Sequence, residues 1–295
     1  MPTCAFLTTD LLDGYVADDD LAVGPLAELG WTVDFVPWRG AAETAARYDL
    51  VVVRSTWDYH ETPAAFAAEL SAVDAVTRLE NPLETIRWNL SKTYLPDLGQ
   101  RGIPIVPTRI GRGGAGAALE EAFREFDRPE VVIKPAVGAS AHDIHRVAAG
   151  SSAERLAEID RLFADRSFLV QPYLPQIETE GEYSVVFFDG VYSHTLRKQP
   201  RKGDFRVQEE HGGLITAVEP PAGLMARARR VLEALPEARA PLYARVDLVR
   251  YPPDDFRLME LELIEPALYL RIDEPSARRF ARAIADRGRA SSGSG

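Results

Sequence analysis

The stretch that decides the fold begins as Arg245-Val246-Asp247 and returns as Leu258-Met259-Glu260-Leu261-Glu262-Leu263. Side chains alternate between the two faces of a strand, so Glu260 and Glu262 share one face while Leu261 takes the other. A turn signal, Pro252-Pro253-Asp254-Asp255, separates the two runs. A hairpin centred on that turn places Asp247 opposite Glu260 and Arg245 opposite Glu262. We therefore expect three carboxylates and one arginine on one face of a sheet.

Carboxylates in a half-buried strand are costly unless they are paired or bind a metal. Three oxygen ligands at this spacing suit Mg²⁺, which binds few carboxylates and leaves positions for phosphate oxygens. The sequence thus predicts Asp247, Glu260 and Glu262 as metal ligands. The alternative is a set of strand ion pairs, with Arg245 and Glu262 as the obvious couple.

Composition narrows the class of protein. The chain has 295 residues, of which 46% are hydrophobic and 27% charged, as in ordinary globular proteins with two or three subdomains. A net charge of −11 argues against nonspecific nucleic-acid binding. The lone Cys4 excludes an internal disulfide and a cysteine zinc site. No basic leader or apolar run of about 20 residues is present. We expect a cytoplasmic protein without nucleic-acid or membrane partners.

The first part of the chain alternates strands with helices, which predicts a parallel sheet. The predicted strands are 3–9, Thr32–Val36 and Leu50–Arg54, and the predicted helices are Leu21–Gly30 and Thr62–Val76. Such sheets bind ligands at the carboxyl ends of their strands. Arg54, Ser55 and Asp58 follow one such end and are candidate substrate residues. Capping and packing at the sheet end are the alternative.

The second part carries further strands, helices and one polar loop. The predicted strands are Ile103–Thr108, Val131–Lys134 and Phe168–Gln171, with a hairpin of Tyr183–Phe188 and Val191–Leu196 across Asp189-Gly190. The predicted helices are Ala117–Phe126, Ala153–Phe163 and Ser276–Asp286. The segment Gly203–Gly213 is a candidate mobile loop, and the final Ser/Gly-rich residues indicate a flexible tail.

Two lysines and one extended segment are candidates for nucleotide binding. Lys134 ends a strand before the small-residue loop Pro135–Ala141, where a lysine and loop N–H groups can hold phosphates. Lys92 is a second basic candidate, although each lysine alone could be an ordinary surface side chain. Pro172 and Pro175 keep the segment from Gln171 to Pro175 extended, so its backbone can read an adenine edge or serve as a linker. The Walker-type phosphate loop is absent.

The order of these features resembles the ATP-grasp superfamily, in its branch of carboxylate–amine ligases that includes glutathione synthetase, D-alanine–D-alanine ligase and RimK-type enzymes. The resemblance covers about residues 85–272. The run from Glu260 to Pro266 resembles the Glu-x-Asn metal motif, with Glu262 in place of Asn. Arg245-Val246-Asp247 resembles an Arg-x-Asp motif, and Gly203-Asp204-Phe205-Arg206 resembles the loop that closes over phosphates.

A narrower resemblance is to the ATP-grasp ligases of the D-cycloserine-biosynthesis type. Three segments carry it: Arg54–Tyr59, Gly203–Gln208 and Glu265–Leu270.

The resemblance implies an α/β (α+β) ATP-grasp fold with an N-terminal open α/β domain. Its expected parts are an N-terminal domain at 1–88, a small ATP-grasp subdomain at 89–174, a large subdomain with the metal site at 175–288, and a tail at 289–295.

The resemblance also assigns roles to individual residues. Lys92 and Lys134 would bind phosphates, under loop N–H groups around Gly138 and Ser140. Gln171, Tyr173 and Leu174 would border adenine, and Glu182 or Glu178 would hold the ribose. Arg245 and Arg206 would stabilise charge on the reacting groups. Two Mg²⁺ ions would be held by Asp247, Glu260 and Glu262.

The activity that the resemblance implies is ATP- and Mg²⁺-dependent ligation with release of ADP and phosphate. A small carboxylate would be activated as an acyl phosphate and joined to an amine, in the same or another molecule. Alternatives are modification of a protein terminus, a non-catalytic ATP-binding regulatory module, and a plain α/β domain with salt-bridged acids. A homodimer is possible within the family.

Overall fold

The computed structural model describes residues 1–236, 239–251 and 255–292, with side chains as far as Arg289. The strands are β1 Thr3–Thr8, β2 Thr32–Pro37, β3 Leu50–Ser55, β4 Leu79–Glu80, β5 Arg109–Arg112, β6 Glu130–Pro135, β7 His145–Ala148, β8 Ser167–Pro172, β9 Glu182–Phe188, β10 Val191–Gln199, β11 Leu214–Ala217, β12 Tyr243–Tyr251 and β13 Asp255–Glu262. The α-helices are α1 Val23–Glu28, α2 Ala42–Ala45, α3 Pro63–Asp74, α4 Leu83–Asn89, α5 Tyr94–Gln100, α6 Ala115–Phe126, α7 Ala153–Leu162, α8 Gln176–Thr179, α9 Leu224–Glu233 and α10 Pro275–Ser292. Within these described ranges, three short 3₁₀ helices cover Asp19–Ala22, Tyr59–Glu61 and Glu209–His211.

The first sheet has the order β2-β1-β3-β4 and all of its pairs are parallel, which confirms the predicted parallel sheet. Every residue of β3 is buried because helices cover both faces. Val51 and Val53 pack with Phe66 of α3, whereas Val52 packs with Phe280 of α10. The last helix of the chain therefore belongs to the core of the first sheet.

The second sheet has the order β5-β8-β6-β7 and is antiparallel, with α6 and α7 packed against it. The predicted strand Ile103–Thr108 is wrong. Ile105 forms only an isolated parallel bridge with Leu258, and the strand that pairs with β8 is β5. Pro104 and Pro107 lack the N–H groups that a β-ladder needs. The apolar segment Ile103–Thr108 is therefore a connection rather than a strand.

The third sheet is antiparallel with the order β11-β10-β9-β12-β13. Its pairing places Arg245 opposite Glu262 and Asp247 opposite Glu260, which confirms the predicted register. The predicted turn at Pro252–Asp254 lies outside the described residues, and Asp255 opens β13. The apolar face of β12 and β13 packs against α5 and α9, so the charged face is left for a cleft.

The chain's end differs from the prediction. The helix predicted to stop at Asp286 continues to Ser292, and residues 293–295 lie outside the described part. The hairpin across Asp189-Gly190 is confirmed by the pairing of β9 with β10. Among the described residues, no helix is long and apolar enough to cross a membrane.

Candidate active site

Asp247 is the most heavily paired carboxylate of the charged face of β12 and β13. Arg245 Nε and Nη2 donate to it at 3.0 and 2.9 Å, Lys198 Nζ lies at 3.1 Å, and Ser184 Oγ donates at 2.6 Å. Burial raises its pKa, but the charges of Arg245 and Lys198 more than offset this, so the pKa lies well below its usual range. Asp247 is therefore ionised whenever the protein is folded at neutral pH.

Lys198 joins Asp247 to Glu182. Its Nζ lies 2.5 Å from Glu182 Oε1, and all three side chains are buried. Burial raises the pKa of Glu182, an effect that Lys198 only partly opposes. The sequence analysis did not identify Lys198, and yet it is the cation that holds two predicted site residues together.

Glu260 lies between the two predicted phosphate-binding lysines. Lys92 Nζ is 3.0 Å from Oε1, and Lys134 Nζ is 3.7 Å from Oε2. Burial lowers the pKa of Lys134, and Glu260 only partly offsets it. Burial also acts on Lys92, but the Glu260 charge leaves its pKa raised. The predicted lysines and the predicted metal ligand thus form one charged group.

The small-residue loop after β6 closes one side of this group. Lys92 Nζ donates to the Gly138 carbonyl at 2.7 Å, and Gly138, Ser140 and Ala141 line the cleft. Ser140 and Ala141 both adopt positive φ, at 50° and 54°. That conformation is costly for residues with a Cβ and is concentrated at functional loops. The loop therefore borders the cleft and has the strained backbone that is expected of a segment that covers a ligand.

Two further glutamates make the cleft acidic. Glu262 contacts Arg245, but burial and the neighbouring charges of Asp247 and Glu260 raise its pKa to about 7. Burial and the charge of Glu262 raise the pKa of Glu265 to about 8. The protein's own cations therefore do not fully compensate a negative charge at these two positions, and both carboxyl groups keep a proton to a higher pH than usual.

The N-terminal domain contributes different residues from those predicted. Trp57 and Tyr59 line the cleft, whereas Arg54, Ser55 and Asp58 are not among the residues that line it. Arg54 is buried, with Nε 2.8 Å from Asp19 Oδ1 and Nη2 2.8 Å from the Pro266 carbonyl. The geometry thus favours the packing alternative for Arg54.

Ser55 and Asp58 have local partners as well. Ser55 Oγ donates to Thr8 Oγ1 at 3.1 Å, and Asp58 accepts from Trp38 Nε1 at 2.7 Å and pairs with Arg39. Neither side chain gains support from this geometry for the predicted substrate role.

The predicted adenine segment lies where β8 ends, outside the lining of the cleft. The Tyr173 N–H donates to the Glu130 carbonyl at 3.0 Å, and Gln171 Nε2 donates to Thr108 Oγ1 at 2.9 Å. Leu174 is buried against Val106 and Val249. Glu178, the competing ribose candidate, pairs with Arg146 at 2.8 Å.

Arg206 lies on the loop before β11 and pairs with Asp204 at 2.8 Å rather than lining the cleft. Gln208 and Glu210 of the same loop do line it. The Arg206 guanidinium holds the pKa of Asp204 well below its usual range. The loop thus reaches the cleft through Gln208 and Glu210, whereas Arg206 pairs with Asp204 of the same loop.

The described residues contain no ready-made group of three His, Cys, Asp or Glu side chains that could hold a metal ion. The predicted ligands instead pair with lysines and Arg245 in this structure. Their chemistry still fits Mg²⁺, because they offer only oxygen donors and the charge of Glu262 is poorly compensated.

Several cleft residues were missed from the sequence. Tyr94 donates no charge but its Oη accepts from the Leu261 N–H at 2.9 Å and fixes β13. Asn89 does the same for Leu263 N–H at 2.9 Å. The only sequence signal that could have identified them is their closeness to Lys92, since Asn89 precedes it by three residues and Tyr94 follows it by two. The missed lining residues include Trp57, Tyr59, Asn89, Tyr94, Lys198, Glu265 and Tyr269.

Two family profiles match the chain. Residues 4–81 match the N-terminal domain of D-cycloserine synthetase DcsG, and residues 115–248 match the ATP-grasp domain of prokaryotic glutathione synthetase. The two matches fall on the parallel sheet and on the cleft-bearing part.

Individual proteins match over nearly the full length. The cycloserine biosynthesis protein DcsG of Streptomyces lavendulae is 34% identical over 289 residues, which cover 91% of this chain and 94% of that protein. The crystal structure of D-cycloserine synthetase DcsG superposes with a TM-score of 0.87 at 31% identity, covering 97% and 99% of the two chains. D-alanine–D-alanine ligase from Bacillus anthracis, complexed with ATP, shares the fold at 15% identity, with a TM-score of 0.66 and coverage of 99% and 100%.

Proposed function

The chain belongs to the ATP-grasp ligases of the D-cycloserine synthetase type, and we propose that it closes a ring within an amino-acid-like substrate. As a member of that family it is an ATP-dependent, ADP-forming carbon–nitrogen ligase. The observation that carries the proposal is the buried cleft in which Lys92 and Lys134 meet Glu260 while Arg245 meets Glu262. Two lysines that a carboxylate holds in place can form charge-assisted hydrogen bonds with the phosphate groups of a nucleotide.

Lys92 and Lys134 would bind the phosphates of ATP in the proposed reaction. Both side chains are largely removed from water, at 12% and 6% exposed, so their charges act in a medium of low dielectric. Glu260 keeps them oriented before the nucleotide arrives. The loop around Gly138 and Ser140 would cover the phosphates and exclude water.

Asp247, Glu260 and Glu262 would hold Mg²⁺, one ion or two. The metal would supply charge neutralisation at the transferring phosphoryl group. These three residues lie on one face, and their neighbours fix their positions: Ser184 and Lys198 hold Asp247, and Arg245 holds Glu262. Lys198 and Arg245 thus orient the carboxylate oxygens of the proposed metal ligands without binding the metal themselves.

The proposed chemistry has two balanced steps. A carboxylate oxygen of the substrate attacks the γ-phosphorus of ATP, giving an acyl phosphate and ADP. A nitrogen of the substrate then attacks the acyl carbon, loses its proton to solvent or a nearby base, and phosphate leaves. Arg245, with its Nη1 donating to the Ala267 carbonyl at 3.1 Å, would stabilise the oxygen charge that develops. Arg206 would join it only after the loop rearranges.

The other assignments remain part of the proposal. Tyr173 and Leu174 would border adenine through backbone carbonyl and N–H groups, and Glu182 would hold the ribose. The division at 1–88, 89–174 and 175–288, a cytoplasmic location and a homodimer are proposed on the same family grounds.

D-Cycloserine, the product named for the relatives, has a ring C–N bond whose formal hydrolysis gives O-amino-D-serine. We would incubate the protein with ATP, Mg²⁺ and either O-amino-D-serine, O-ureido-serine or pools of D- and L-amino acids. The expected result is ADP, phosphate and a cyclised product with a D-serine derivative. A dipeptide from the D-amino-acid pool, with no cyclised product, would contradict ring closure.

A further inference from the structure

Glu265 lies on the cleft wall three residues after Glu262, where β13 has ended and the chain bends before Pro266. Its side chain is buried, with the residue only 9% exposed. It is not among the predicted metal ligands, and the roles proposed above do not use it.

The charge balance of the cleft sets Glu265 apart. Each of the four predicted acids in and beside the cleft has a cation within ion-pair distance: Lys198 for Glu182, Arg245 for Asp247 and Glu262, and Lys92 for Glu260. Within the described part of the chain, Glu265 has no such cation. Buried carboxylates without a counter-charge are costly, so a site that keeps one offers it to a cationic ligand.

The first domain fixes the position of Glu265. The Tyr59 hydroxyl interacts with its carboxylate, and Trp57 Nε1 donates to its backbone carbonyl at 2.9 Å. Arg54 Nη2 holds the next carbonyl, that of Pro266, at 2.8 Å. A carboxylate has about four lone-pair sites, and Tyr59 uses one, so the group is held in place with capacity to spare.

We propose that Glu265, positioned by Tyr59, binds the α-ammonium group of the amino-acid-like substrate. This inference rests on the proposed function, because D-cycloserine and its ring-opened precursor both carry an amino group that takes no part in ring closure. The carboxylate end of the substrate must approach the phosphate-binding lysines. Glu265 lies in the same cleft as those lysines, on the wall that the first domain contributes to.

Two other uses of Glu265 fit the structure less well. As a metal ligand it would need to join Glu260 and Glu262, but it follows the end of β13, so strand alternation does not place it on the face that those two share. As a phosphate-binding residue it has the wrong charge. An ammonium ion supplies the missing counter-charge and donates to the free carboxylate oxygen.

The test compares wild type with Glu265→Gln on two probes, O-amino-D-serine and its analogue without the amino group, 3-(aminooxy)propanoic acid. Gln keeps the size and an oxygen for Tyr59 but removes the charge. Glu61→Gln, an exposed carboxylate two residues from Tyr59 and outside the cleft lining, is the matched control. The readouts are ADP release and cyclised product, with kcat and KM measured separately for each probe and for ATP.

Wild type and Glu61→Gln should prefer the amino probe roughly 10- to 100-fold in kcat/KM, as expected for one charge-assisted hydrogen bond. In Glu265→Gln that preference should fall to near unity, through KM for the probe and with KM for ATP unchanged. An unchanged preference in Glu265→Gln, or equal losses on both probes, would overturn the inference while leaving the ligase proposal intact. No cyclised product from wild type with either probe or with O-ureido-serine would overturn the ring-closure proposal itself.

Discussion

Glu260 is the residue on which the proposed phosphate chemistry depends most, because it contacts both Lys92 and Lys134. Glu260→Gln keeps the shape but removes the charge that orients the lysines and would bind metal. We expect ADP formation to fall at least about 100-fold, the scale of losing a preorganised electrostatic group. Steady-state ADP release measures this, with circular dichroism to verify the fold. Glu84→Gln, an exposed carboxylate on α4, is the control, and full activity in Glu260→Gln would contradict the assignment.

Lys198 is a second residue whose charge has a calculable consequence. Lys198→Met leaves Glu182 and Asp247 buried without this shared cation. Removing one partner from a buried ion pair typically lowers the free energy of unfolding by about 3–5 kcal/mol. Urea denaturation measures the change, and Lys202→Met at an exposed position should leave the midpoint unchanged. Equal stability of the two variants would show that water, not Lys198, compensates these carboxylates.

His194 makes stability depend on pH. Burial lowers its pKa from 6.5 to about 4 in the folded protein, although the Leu268 carbonyl, 3.0 Å from Nε2, partly offsets this. Above pH 6.5 the imidazole is neutral in both states and its contribution is fully present. As pH falls from 6.5 towards 4, His194 binds a proton in the unfolded chain but stays neutral in the folded protein, so the free energy of unfolding decreases.

The expected loss from His194 is up to about 3 kcal/mol. It is measured as the wild-type minus His194→Gln difference in unfolding free energy at pH 7.5 and pH 4.5, which removes the effect of carboxylates common to both. A pH-independent difference would show that His194 is not held neutral.

At the scale of elements, the register of the β9–β10 hairpin explains why Lys198 was not predicted as a site residue. Val191 pairs with Phe188 and Tyr192 with Phe187, and this register would set Lys198 opposite Gly181. An irregularity between Tyr192 and His194 shifts the pairing by one, so Lys198 faces Glu182. A one-residue slip changes the face of every later side chain, and a sequence pattern does not mark where a bulge will fall.

Gly181 lies just before β9, at the open end of this hairpin, where the chain passes close to the end of β10. Its φ is +106°, and a Cβ there would lie 2.7 Å from the Lys198 carbonyl oxygen. Gly181→Ala should therefore lower the free energy of unfolding by at least about 2 kcal/mol, through strain and a backbone clash. The control is Gly24→Ala in α1, which meets nothing within 4 Å and should be neutral or slightly stabilising. Urea denaturation of both variants tests the contrast, and a tolerated Gly181→Ala would refute it.

The sequence predicted best where one short turn and strict alternation set the geometry. The β12–β13 register followed from the turn and from the spacing of Asp247, Glu260 and Glu262. The parallel first sheet followed from alternating strands and helices. The predicted strand Ile103–Thr108 is absent because Pro104 and Pro107 cannot donate hydrogen bonds to a ladder, although the run is apolar.

The whole molecule shows why part of the site lay beyond sequence reasoning. Helix α10, from the end of the chain, covers the first sheet, and Arg54 and Trp57 bond to the carbonyls of Pro266 and Glu265. Asn81 bonds to the carbonyls of Tyr243 and Leu263 at 3.0 and 2.7 Å. These contacts join segments about 160 to 210 residues apart, and no local pattern encodes them. Trp57, Tyr59 and Glu265 line the cleft because the segment after β3 packs against the segment after β13.

The central claim is that a substrate carboxylate attacks the γ-phosphorus of ATP in this cleft. The most direct test is to supply O-amino-D-serine labelled with ¹⁸O in both carboxylate oxygens, with ATP and Mg²⁺, and to weigh the products. The account predicts ADP and inorganic phosphate that carries one ¹⁸O from the substrate, since the oxygen that attacks leaves with phosphate. Labelled AMP with pyrophosphate, or unlabelled phosphate beside product, would contradict it.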